Sequence, residues 1–128
     1  MNRMTTSREA TMTRTDFHKL PEPLRSLAAQ HCHAGAAKLG AAELATRLAT
    51  LAGWSESDGR LVKSYGFANF HETIGFVNAL AWVANREDHH PDLGVSYNRC
   101  TVAWSTHDAG GITENDVVCA AKTDGLFA

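Results

Sequence analysis

Apolar and polar positions alternate with two different periods along this chain, and the switches between them mark the elements. Phe70, Ile74, Val77, Ala81 and Ala84 recur at steps of four, three, four and three, which places them on one face of a helix. Phe76, Leu80 and Val83 widen that stripe, and Asn69 stands where an N-cap belongs, so a long helix is predicted from Asn69 to about Glu87. Leu44, Leu48 and Leu51 have the same helical spacing over Ala41–Leu51, with Gly53 as the stop. Gly53–Ser57 and Leu61–Phe67 read as strands on either side of Asp58-Gly59, a strong hairpin signal. Val95–Tyr97 and Cys100–Thr106 read as a second strand pair after a turn bracketed by Pro91 and Gly94. In the latter strand Val102, Trp104 and Thr106 share one face; Thr101, Ala103 and Ser105 share the other.

Gly110-Gly111 break the chain, and a last helix starts at Thr113, with Val117, Val118, Ala120 and Ala121 as its apolar surface. The order helix, two strands, helix, two strands, helix predicts an α+β two-layer sandwich. Its four-stranded antiparallel sheet carries helices on one face (an α-β-β-α-β-β-α core). Residues 21–39 are Ala-rich and predict a helical N-terminal extension, helical over 22–38 with Pro23 near its start. Residues 40–128 form the domain proper. Residues 1–20 are rich in Thr and poor in acids, a composition that a transit peptide shares, but they read as a disordered tail, or as an upstream start before Met4 or Met12.

The chain has 128 residues, enough for one domain with a core that needs no disulfide or metal staple. A net charge of −2 argues against nucleic acid as a direct partner. No apolar run is long enough for a membrane span, and no secretory leader is visible. Cys32, Cys100 and Cys119 are odd in number and contain no C-x-x-C, so they read as reduced thiols of a cytoplasmic protein. His31-Cys32-His33 lacks the spacing of a closed zinc site.

The chemistry-bearing residues gather at two element ends: Asp88-His89-His90-Pro91 after the long helix and Thr106-His107-Asp108 after the last strand. Imidazoles titrate near neutrality, so two or three that converge can both donate and accept a proton. On spacing alone, surface or turn histidines are an equal alternative. His71 reads as an exposed residue of the first turn of its helix. A zinc site built from the three histidines with Asp92 and Asp108 is disfavoured, because His89 and His90 are neighbours that point apart.

These segments closely resemble the pterin-4a-carbinolamine dehydratase (4a-hydroxytetrahydrobiopterin dehydratase) family. The resemblance is carried by Asp88-His89-His90-Pro91, Val95-Ser96-Tyr97-Asn98-Arg99 and the run from Ser105 to Asp116. Upstream it includes Gly53-Trp54, Lys63-x-Tyr65-x-Phe67, Asn69-Phe70 and Gly75-Phe76. It spans roughly residues 40–125 and leaves residues 1–39 outside. The resemblance implies the four-stranded fold and the dehydration of 4a-hydroxytetrahydropterin to quinonoid dihydropterin. That reaction recycles the pterin cofactor of aromatic amino acid hydroxylases, so such a hydroxylase is an implied pathway partner. It implies no metal and no organic cofactor. By position, His89, His90 and His107 are the catalytic histidines. Asp88, His89, His90, Ser105, Thr106, His107 and Asp108 hold the pterin, and Asp116 is the supporting acid. Thr113-x-x-Asp116 also reads as a capping box, so Asp116 has two candidate roles.

Two positions depart from the family. Animal members carry Glu four residues before the first motif His, where this chain has Asn85; Glu87 and Asp88 are the nearby carboxylates that could take over. Leu93 replaces the aromatic residue that often follows the His-His-Pro segment. Loss of water from C4a needs a proton on the departing hydroxyl and loss of one from the ring-nitrogen side. His89 and His107 are the expected groups beside the hydroxyl, with His90 as acceptor or substrate positioner. The resemblance also implies a homodimer or homotetramer, since two sheet edges need cover. The rival function is a non-catalytic binding or assembly module of the same fold, a role that animal relatives add as dimerisation cofactors of a transcription factor.

Overall fold

The computed structural model describes residues 20–127. Its elements run α1 (Leu24–Ala28), α2 (Ala41–Leu48), β1 (Ser55–Ser57), β2 (Arg60–Gly66), α3 (Phe70–Glu87), β3 (Asp92–Ser96), β4 (Arg99–Trp104) and α4 (Glu114–Gly125), with a short 3-10 turn at His107–Ala109. All strand pairs are antiparallel, in the order β1-β2-β4-β3. The predicted α+β sandwich is therefore the observed one. The β1–β2 hairpin closes through Asp58 and Gly59, whose positive φ values of 52° and 74° match the right-handed twist of the strands it joins.

Period-two alternation puts Leu61 and Tyr65 of β2 and Cys100, Val102 and Trp104 of β4 on the face that the helices cover, and all five are buried. α3 and α4 close that face with Phe76, Leu80, Val83, Val117, Ala120 and Ala121. Asp124, near the end of α4, gathers three donors from the hairpin side: Trp54 Nε1 at 3.1 Å, Lys63 Nζ at 2.9 Å and the Tyr65 hydroxyl at 2.5 Å. Gly53-Trp54 and Lys63-x-Tyr65, which help to carry the family resemblance, are thus bound into the scaffold. None of the described helices is long and apolar enough to cross a membrane.

Several boundaries differ from the sequence expectation. The helix expected over 22–38 is confined to Leu24–Ala28. Beyond it the backbone bonds to side chains of α3 and α4 instead of to itself, and Gly35 takes φ +80°. α1 docks on α4, where the Lys122 ammonium donates to the Ala28 carbonyl at 2.8 Å. Leu20 is buried in the core, while the rest of the expected tail lies outside the described residues. α2 ends at Leu48 and continues as turns that bury Leu51.

The stripe of α3 is rotated from the one read at steps of four and three. Phe70 and Ala81 are exposed, and Thr73, Phe76, Leu80, Val83 and Ala84 are buried. Thr73 is the polar member that disguises the true stripe; its hydroxyl donates within hydrogen-bond distance of the Asn69 and Tyr97 carbonyls. Asn69 caps the helix as expected, accepting from Glu72 N at 2.9 Å, and His71 is exposed. Gly94 lies inside β3 rather than at a turn, and the turn that joins β3 to β4 is Tyr97-Asn98. β4 stops at Trp104, two residues early, where Thr106 instead bridges to Gly111.

Candidate active site

His89 is positioned by the way α3 ends. Asp88 adopts a left-handed conformation (φ 51°), which an Asp tolerates better than most residues, and the His89 amide then bonds back to the Ala84 carbonyl at 3.1 Å. The chain turns sharply and lays the imidazole parallel to the Trp104 indole, with 5.6 Å between ring centroids. Its Nε2 meets Asp116 Oδ1 at 2.6 Å.

Asp116 is fully buried, and its second oxygen accepts from the Thr113 amide at 2.9 Å and the Thr106 hydroxyl at 2.8 Å. One carboxylate therefore closes the capping box of α4 and fixes the ring of His89. Both roles read from the sequence hold together, because the first turn of α4 points at the end of α3. The hydrogen bond that Asp116 accepts raises the pKa of His89 above its ordinary value, against the opposing effect of burial. The imidazolium is thereby favoured, and Nδ1, with no hydrogen-bond partner among the described residues, is the nitrogen left for a ligand.

A cleft of about 550 Å³ opens beside this pair. Asp88 and His89 line it with Thr106, Asp108 and Ala109, and so does the stretch Cys32–Ala36 together with Glu87 and Asn115. The structure thus brings Asp88, His89, Thr106, Asp108 and Asp116 together. His90 and His107 are exposed and do not line the cleft, although each is adjacent in sequence to residues that do. His90 Nε2 lies 3.0 Å from Asn85 Oδ1, so the residue in place of the family Glu contacts the second histidine. His107 heads the 3-10 turn that Gly110 closes (φ 76°). Ser105 is half-buried outside the cleft lining.

Glu87 sits differently from a free base. Oε1 accepts from the Cys32 amide at 2.8 Å and Oε2 pairs with His31 Nδ1 at 2.8 Å, with the Lys122 ammonium 3.6 Å away. Burial alone would push its carboxyl up; the Cys32 amide, His31 and Lys122 outweigh it and hold it below the usual range. The contribution of Cys32–Ala36 was not visible in the sequence, where the Ala-rich composition places these residues in a helix over 22–38. The one available signal was the cluster His31-Cys32-His33, which the sequence offers only as a metal site of the wrong spacing.

The family model described as Pterin 4 alpha carbinolamine dehydratase matches residues 37–126. A Chromobacterium violaceum protein named for this dehydratase is 62% identical over 80 residues, which cover 62% of this chain and 74% of that protein. A Stenotrophomonas maltophilia protein of the same name is 55% identical over 91 residues, 70% of this chain and 78% of that one. A crystal structure of a Brucella melitensis protein, described as a transcriptional coactivator/pterin dehydratase, superposes with a TM-score of 0.68 at 32% identity. That superposition covers 71% of this chain and 99% of the other. With the match extending over the whole sheet, α3, α4 and the His89–Asp116 pair, this chain belongs to the pterin 4 alpha carbinolamine dehydratase family.

Proposed function

We propose that the protein dehydrates 4a-hydroxytetrahydropterin to quinonoid dihydropterin by histidine general acid–base catalysis, so restoring the pterin spent by an aromatic amino acid hydroxylase. The observation that carries this reading is the Asp116-held His89 beside a cleft large enough for a bicyclic ring. As an imidazolium, His89 gives a proton to the hydroxyl on C4a. The C4a–O bond breaks and water leaves with its electron pair. The lone pair of the adjacent ring nitrogen forms the C=N bond, and that nitrogen loses its proton to a second group. His107 and His90, each one residue from a cleft-lining position, are the candidates for that base and for holding the substrate. Asp88, Ser105, Thr106 and Asp108 supply the polar edges of the binding loops. Help of this kind from one acid–base group is worth about 10²–10⁴-fold.

The test is stopped-flow decay of 4a-hydroxytetrahydropterin with and without protein and with no added metal. Faster decay at catalytic protein concentrations, lost in His89→Ala, is expected. Decay unchanged at micromolar protein would sink the dehydratase reading and leave a non-catalytic binding or assembly role.

The same reading includes a homodimer or homotetramer in the cytoplasm, where three free thiols stay reduced. β3 is an edge strand with every residue exposed, and Phe70, Leu93, Val95 and Tyr97 keep 37–63% of their surface. An unpaired edge with apolar residues on it favours pairing with another copy. Light scattering is expected to give a dimer or tetramer mass; a monomer across micromolar concentrations would refute it.

A further inference from the structure

Part of the cleft lining lies outside the segment that the family model matches. The matched segment starts at residue 37, yet Cys32–Ala36 line the same cleft as His89. This strap forms no helix or strand, so its position depends on what holds it. Two side chains of the domain do so. Glu87, on the last turn of α3 and only 3% exposed, takes the Cys32 amide and His31. Asn115, in the first turn of α4, uses both ends of its amide: Oδ1 accepts from His33 N at 3.2 Å and Nδ2 donates to His33 O at 2.7 Å. The strap is thereby tied to the two helices whose ends carry His89 and Asp116. Its residues Ala34, Gly35 and Ala36, which line the cleft, are small and uncharged. The space beside Gly35 is open, since a Cβ there would meet nothing within 4 Å.

We propose that the His31–Ala36 strap is a substrate-contacting wall and that Glu87 is a positioning residue that sets substrate affinity by holding it in place. The inference rests on the dehydratase reading. It gives Glu87 a different part from that of a proton acceptor: both of its oxygens are engaged by the strap, and proton transfer through either would release it.

The experiment compares the full-length protein with Glu87→Gln and Ala34→Trp. Gln keeps the size of Glu87 but removes the charge that His31 and Lys122 face; Trp at Ala34, an exposed residue of the cleft lining, adds bulk to the strap outside the core. Steady-state dehydration is measured by stopped flow, and binding of unreactive tetrahydropterin, which lacks the 4a-hydroxyl, by calorimetry. For both variants KM and the Kd of tetrahydropterin should rise about tenfold, the scale of one lost charged hydrogen bond, with kcat within about twofold. Glu87→Gln should also speed amide hydrogen exchange over residues 31–36. A kcat loss of about 10²-fold or more at unchanged KM in Glu87→Gln would put Glu87 in the proton transfer and overturn the proposal. So would wild-type KM and Kd in both variants. A wild-type protein that neither turns over nor binds pterin would sink the dehydratase reading and this inference with it; a working wild type with unaffected variants sinks this inference alone.

Discussion

Replacing Asp116 by Asn probes the centre of the site with almost no change in shape. An Asn oxygen can still accept from the Thr113 amide and the Thr106 hydroxyl, so the cap of α4 survives. The amide NH₂ then faces His89 Nε2, where a carboxylate oxygen stood at 2.6 Å. A donor there suits a neutral His89 with an unprotonated Nε2 and opposes the imidazolium. The lost interaction is a charge-assisted hydrogen bond with Asp116 fully buried and His89 only 14% exposed, worth about 1.5–3 kcal/mol. At roughly 4 °C per kcal/mol for a chain of this size, Tm should fall by about 6–12 °C at pH 6.

The pH dependence has a definite sign. Asp116 raises the pKa of His89 in the folded protein. Its stabilisation is complete below the unfolded histidine value and is lost as pH rises through the raised folded value. The Tm difference between wild type and variant should therefore shrink as pH climbs past neutrality. If the imidazolium is the acid, the alkaline limb of kcat/KM should move to lower pH in Asp116→Asn. The variant should lose roughly 10- to 100-fold at pH 7 and regain part of it in more acidic buffer. Thermal melts and pH–rate profiles from pH 5 to 9 provide both readouts. Identical alkaline limbs in the two proteins would refute the assignment of the Asp116-held imidazolium as proton donor.

Asp124→Ala strands the donors of Trp54, Lys63 and Tyr65, and chemical denaturation should show a loss of about 2–4 kcal/mol; less than about 0.5 kcal/mol would mean that the cluster is dispensable. His107→Ala should lower kcat about 10²-fold while Tm stays put, because the side chain is exposed and has no hydrogen-bond partner among the described residues; wild-type turnover would remove His107 from the chemistry. Cys32 should react with iodoacetamide before the other thiols, as followed by peptide mapping at pH 8. The Cys119 hydrogen bond lowers its pKa, whereas burial pushes Cys100 up to about 11, and equal rates at Cys32 and Cys100 would contradict this.

Local chemistry alone was enough for the hairpin at Asp58-Gly59, the cap at Asn69 and the capping box at Thr113, since each depends on residues within three or four positions of one another. The order of elements and the histidine motifs were legible for the same reason. Of the buried stripe of α3, Phe76, Leu80, Val83 and Ala84 were legible in the same way, but Thr73 was not. Thr73 counts as polar until the Tyr97 carbonyl, 24 residues away, satisfies its hydroxyl. The strap was equally hidden. Ala-rich residues 22–38 favour a helix by propensity, but Glu87 and Asn115 offer the backbone partners 55 and 82 residues distant, and those bonds prevail over a helix with little apolar face to bury. The sequence likewise paired His89 with His107 beside the hydroxyl and set His90 apart as acceptor or positioner. Only the packing of α4 against the end of α3 separates His89 from both: it buries Asp116 against His89 and leaves His90 and His107 exposed. Spacing along the chain can place a histidine at the end of an element. Which carboxylate holds it, and so how readily it keeps its proton, depends on a contact between residues 27 positions apart that forms only when the helices pack.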